Sequence, residues 1–163
     1  MKTIFILLLM FPTIIFAGFP KAGTTSAPFL KIGVGARAIA MGNNFVGLAN
    51  DATALYWNPA GITELERISF SATHTSWFAD LTHGAITLAV PLNEATALGL
   101  EVLYLTSDDI EQTTLEEQEG NGIFYNATDF AMGFAFAQKL TDRFSVALKG
   151  KYIRQSIYNE EAS

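Results

Sequence analysis

His74 and His83 are the only histidines of a chain without cysteine, so metal or acid–base chemistry must rest on imidazole, carboxylate and hydroxyl groups. Neither histidine lies in an H-E-x-x-H signature or beside a carboxylate-rich repeat. His74 shares a strand face with Ile68, Phe70 and Ala72 and reads as an interfacial residue, while His83 reads as part of a turn. The serines lack a nucleophile elbow, and the glycine pair of GVGARA follows no strand of dinucleotide-binding type. Asp108, Asp109, Glu111, Glu116, Glu117 and Glu119 put six acids and no base into one segment. Hard cations favour carboxylate oxygens, but the spacing matches no known ligand loop, and the segment reads as a solvated acidic loop able to meet a basic partner. The Asn126-Ala127-Thr128 sequon is a chance match. The expectation is a protein that is no enzyme, with no catalytic residue, cofactor or resident metal.

The elements that carry these residues begin with a targeting segment. Lys2 precedes an almost wholly apolar run, Ile4 to Phe16, and Ile15-Phe16-Ala17 ends on a small residue suited to a signal peptidase. The run is shorter than the ~20 residues of a membrane-spanning helix, and Pro12 interrupts it. Residues 1–17 are therefore expected to be a cleaved signal peptide. The formal net charge of −6 argues against nucleic acid as a partner. Half the residues are hydrophobic, yet the rest of the chain has no apolar run of helix-spanning length. That pairing spreads apolar surface over alternating strands.

Five segments alternate with period two: 67–77, 83–92, 96–106, 128–140 and 144–157. In the fourth, Phe130, Met132, Phe134 and Phe136 fall on one face and Ala131, Gly133, Ala135 and Ala137 on the other. In the third, Leu98, Leu100, Val102 and Tyr104 oppose Ala97, Gly99 and Glu101; in the fifth, Lys149 and Lys151 share the face opposite Phe144, Val146, Leu148 and Tyr152. Large apolar residues outward and small or charged ones inward predict a lipid-facing wall, because a lysine facing lipid at the midplane costs ~2–4 kcal/mol. Glu101, Lys149 and Lys151 are thus expected to face the lumen. A soluble β-sandwich fits less well, since strands of about ten residues exceed the usual ~5–6. Short turns at 93–95 and 141–143 alternate with longer connections at 78–82 and 107–127, which predicts that the longer ones face the cell exterior. Trp77, Phe78, Tyr104, Phe124, Tyr125 and Tyr152 lie where an aromatic girdle would sit.

The fold class that follows is all-β: a transmembrane antiparallel up-and-down β-barrel with a small N-terminal hatch or plug at 18–65, the strands occupying 66–163. About five strands make an incomplete barrel, so the chain reads as the N-terminal portion of a longer protein. In the hatch, Asn50 or Asp51 is placed to cap a helix over 52–57, and Asn58 with Pro59 to cap and start a further turn. Asn58, Pro59, Ala60 and Gly61 read first as a tight helix-to-strand junction, with Asn58 hydrogen bonding inside the hatch.

Two phrases, FLKIGVGARAIAMG from Phe29 and DATALYWNPAG from Asp51, followed directly by the first strand, resemble the N-terminal region of the PorV/PorQ family within the wider FadL-like outer-membrane β-barrels. The resemblance implies a bacterial outer-membrane barrel whose hatch carries the motif Asp51, Asn58, Pro59, Ala60 and Gly61. It further implies service in type IX protein secretion, accepting or presenting substrates with a C-terminal secretion domain without catalysing their chemistry. The expected partners are outer-membrane lipid, type IX components and such secreted proteins. The alternative is a FadL-like channel for long-chain fatty acids or other hydrophobic small molecules.

Overall fold

The computed structural model describes residues 26–113, 118, 121–157 and 160–162. The expected signal peptide, and Glu116, Glu117 and Glu119 of the acidic loop, lie outside the described residues. Five long strands, β1 (Ser69–Ser76), β2 (Leu81–Pro91), β3 (Thr96–Ser107), β6 (Ala127–Thr141) and β7 (Phe144–Ile157), form one antiparallel sheet. Each long strand pairs with the next along the chain, and the short β8 (Glu160–Ala162) extends the far edge of this open up-and-down sheet. Two-residue strands β4 (Ile110–Glu111) and β5 (Phe124–Tyr125) form a separate ribbon. Phe124 and Tyr125 therefore stand on that ribbon, not in a belt on the sheet.

The faces divide as the side-chain period dictates. On β6, Ala131, Ala135 and Ala137 are buried, whereas Met132, Phe134 and Phe136 are exposed. Leu148 on β7 is 79% exposed, and Phe70, Ile86 and Leu100 join it on the same uncovered face. An apolar face of this extent calls for an apolar surrounding.

The other face is covered by residues 26–65: a 3-10 turn (Pro28–Lys31), α1 (Ala36–Ala40), α2 (Ala54–Trp57) and a 3-10 helix (Pro59–Glu64). Helices this short have little stability of their own and are held by packing. Phe45, Leu55 and Ile62 bury themselves on a floor of Ala89, Ala97, Ala135 and Ala137; Phe29 and Val34 pack with Ala85, Leu103 and Ala131. The small residues are required. A Cβ on Gly99 would overlap the Leu55 side chain.

The connection between the first two strands differs from expectation. Between β1 and β2, Ala79 and Asp80 both take φ 56°, a paired left-handed turn that matches strand twist and closes the hairpin in fewer residues than the expected 78–82. β2 consequently starts at Leu81, and His83 lies inside a strand, facing the hatch and 1% exposed, rather than in a turn. Pro91 ends β2 in register with Ala97, and the register shift of the sheet falls between Lys139 and Thr141.

Candidate functional site between hatch and wall

The hatch motif works as a staple. Pro59 opens the 3-10 helix, where its missing N–H is no loss. The Asn58 side chain caps nothing in its own helix; its Nδ2 donates to the Val46 carbonyl at 3.1 Å, while its backbone carbonyl accepts from Gly61 N at 2.8 Å. Gly61 lies against the Ala49 carbonyl so closely that a Cβ would overlap it. The motif therefore clamps the outer loop of the hatch, residues 46–49, at two points. Thr63 Oγ donates to the Ala60 carbonyl at 2.8 Å and stands 2.9 Å from Ser145 Oγ on β7, which carries the staple onto the wall. Asn58→Ala is expected to cost about 1 kcal/mol and to speed amide exchange at 46–49 with the strands unaffected, as hydrogen-exchange mass spectrometry would register.

Asp51 organises the start of α2, which begins at Ala54 rather than at Ala52. Its Oδ1 accepts from Thr53 N at 2.8 Å and Thr53 Oγ at 2.5 Å. Its other oxygen lies 3.4 Å from Arg37 Nη1, which also donates to Asn50 Oδ1 at 2.9 Å. Both partners are exposed, so this ion pair is worth at most about 1 kcal/mol.

The three inward charges meet beneath the hatch. Thr87, Glu101, Gly133 and Lys151 follow one another across β2, β3, β6 and β7 in register. Glu101 is 1% exposed; its Oε2 lies 2.6 Å from Lys149 Nζ and its Oε1 2.9 Å from Lys151 Nζ. Gly133 leaves the room that the two lysine stems occupy, since a Cβ there would stand 3.0 Å from Lys149 Cε. Lys149 Nζ also donates to the Leu55 carbonyl of α2, so a single ammonium joins hatch backbone to wall carboxylate. Lys151 Nζ stands 5.7 Å from the Tyr56 ring centroid, a cation–π approach.

Tyr56 and Trp57 tie this part of the hatch to its beginning. The Tyr56 hydroxyl donates to the Leu30 carbonyl at 2.8 Å and Trp57 Nε1 to the Val34 carbonyl at 2.9 Å. Burial, and secondarily the Glu101 carboxylate, pushes the Tyr56 phenol above its ordinary value. Below pH 10 the phenol is neutral folded and unfolded alike. Above it the unfolded chain ionises first, so the hatch is expected to lose stability as pH rises from about 10 toward the raised folded value. Tyr56→Phe should flatten that alkaline limb in a thermal-melt series.

His83 and Thr87 also face the hatch, both 1% exposed, and their side-chain polar atoms have no hydrogen-bond partner among the described residues. The period of two through 83–92 sets His83 on the same face as Ala85, Thr87 and Ala89, the signal that its reading as a turn residue passed over. His74 is on the opposite, exposed face, with Nδ1 3.4 Å from Tyr104 Oη; the Tyr104 ring covers Gly84 between them. Among the described residues no three His, Asp or Glu side chains group as a metal site. The arrangement is one that fastens a plug to a wall by charge.

Fold and site together define an antiparallel up-and-down β-sheet protein that carries its N-terminal segment as a charge-fastened hatch on one face. The chain belongs to the PorV family: the family model described as type IX secretion system protein PorV matches residues 19–162. Comparison with curated proteins and with solved structures returned no significant match. Family membership links the chain to type IX secretion and its components.

Proposed function

We propose that this protein is a non-catalytic, outer-membrane β-barrel component of type IX secretion, whose longer loops face the exterior and contact secreted proteins bearing C-terminal secretion domains. The family match over residues 19–162 carries the reading. The uncovered apolar face of the strands supports a lipid surrounding, where outward Phe134 and Leu148 are favourable and inward Glu101, Lys149 and Lys151 avoid hydrocarbon. Uptake of fatty acids gains nothing from the described inner face, which is small and charged and covered by the hatch. Purification of the protein from its native outer membrane in mild detergent, with mass spectrometry of what accompanies it, tests the proposal. Secretion subunits or secreted proteins with shared C-terminal domains are expected; bound fatty acids without protein partners would overturn it.

A further inference from the structure

We infer that the outward face of the sheet carries a binding shelf for the sugar headgroup of an outer-leaflet glycolipid. The inference rests on the outer-membrane part of the proposed function, not on the role in secretion. Strand register brings Ser76, Thr82, Thr106, Thr128 and Ser156 into one row, so that every long strand contributes a hydroxyl at the same level. Parity sets all of them on the face of Phe70, Ile86 and Leu100, opposite the hatch. Neighbouring hydroxyls come close: Thr106 Oγ lies 3.4 Å from Thr128 Oγ. The next row down holds His74, Gly84, Tyr104, Phe130 and Arg154. There Gly84 lets the Tyr104 ring lie against the wall, since a Cβ would overlap it, and the phenol oxygen comes to 3.4 Å from His74 Nδ1. Below these rows the outward residues of β3 and β6, Leu98, Leu100, Val102, Met132, Phe134 and Phe136, are apolar down to Thr96, whose Oγ donates to Gln138 Oε1 at 2.9 Å. From Thr96 to Thr106 the strand climbs about 33 Å at ~3.3 Å per residue, or ~25 Å along the membrane normal at a tilt of ~40°, the height of the apolar band of an outer-membrane barrel. The hydroxyl row therefore stands at the level of the lipid headgroups, at the end of the sheet that carries the 107–127 connection.

Hydrogen-bonding capacity and charge decide the occupant. Each hydroxyl of the row both donates and accepts, the pattern that the hydroxyls of a lipid-bound sugar complement. The outward residues of the five long strands include no carboxylate and no lysine, and Arg154, at the β7 end, is their one permanently charged side chain. Asp80 and Asp108 are exposed in the connections just beyond the row, joined by the bond from Asp108 N to the Asp80 carbonyl at 3.2 Å, and they repel anionic headgroups. A neutral sugar meets no such penalty, and its acyl chains continue onto the apolar rows beneath.

The test uses the full-length protein in detergent, titrated with monogalactosyl diacylglycerol, phosphatidylcholine and phosphatidylglycerol of matched acyl chains and read by native mass spectrometry. The parent should retain the galactolipid roughly tenfold more tightly than either phospholipid. Thr82→Val with Thr106→Val and Thr128→Val nearly keeps side-chain shape while removing the central hydroxyls of the row, and should bring the galactolipid down to the level of phosphatidylcholine. Ser71→Ala with Thr73→Val and Thr75→Val removes hydroxyls from the inner side of β1 and should leave the preference intact. Unchanged heat-modifiable migration shows that each variant is folded, and Thr128→Val alone, at an exposed position, gives a smaller loss in a chain whose half-buried threonines are kept. Equal retention of galactolipid and phosphatidylcholine by the parent, or a preference that survives loss of the outward hydroxyls, overturns the inference. So does tighter retention of phosphatidylglycerol that Arg154→Gln abolishes, because charge then selects the lipid. Retention of no diacyl lipid overturns the membrane reading along with the shelf, whereas the absence of secretion subunits from the native preparation leaves the shelf standing.

Discussion

Replacing Glu101 by glutamine is expected to cost the folded protein about 3–5 kcal/mol, because removal of one partner from a buried ion pair leaves the remaining charge uncompensated. Here two ammonium groups, Lys149 and Lys151, converge on the one carboxylate, which is itself 1% exposed. The loss should show as a lowered unfolding midpoint in denaturant and as release of α2, whose Leu55 carbonyl shares Lys149. A variant with Glu101→Leu, Lys149→Met and Lys151→Met should recover most of the loss in stability, since apolar groups of similar volume often replace a buried ionic cluster at little cost. It should not restore the hydrogen bond to the Leu55 carbonyl, and exchange at α2 should stay fast. Stability of Glu101→Gln within 1 kcal/mol of the parent would mean that the cluster is well hydrated and does not fasten the hatch.

Gly61→Ala is the second large effect. Its Cβ would overlap a backbone oxygen, that of Ala49, which cannot swing aside as a flexible side chain can. Overpacking of this kind costs about 1–3 kcal/mol, and the damage should be local: faster exchange and protease cleavage at 46–65, with strand amides protected as before. Gly47→Ala is the control, since a Cβ there meets nothing within 4 Å. Equal protection in both variants would show that the motif and the outer loop are not clamped to each other.

Much of the fold is legible in the residues because strand side chains obey a period of two irrespective of their neighbours. The alternation at Ala131 to Ala137 identifies a strand, its two faces and its small-residue side; the lysines at 149 and 151 and the glutamate at 101 fall on that same side by parity alone. The motif at Asn58 to Gly61 is likewise visible, since proline and glycine constrain the backbone locally.

Partner choice is another matter. Asn58 bonds Val46 rather than its own helix, and His83 enters a strand, because a turn with two left-handed non-glycine residues shortens the hairpin. No local preference announces such a turn at Ala79 and Asp80. The ribbon of β4 and β5 depends on pairing across a loop, which two-residue strands cannot signal. By itself, then, the sequence determined the all-β class, the strand faces and the family. Only the tertiary structure decided that Glu101, Lys149, Lys151 and the Leu55 carbonyl form one fastening. Their meeting requires three strands, β3, β6 and β7, in register and a hatch laid over them, and register between distant segments is a property of the packed sheet, not of any one strand.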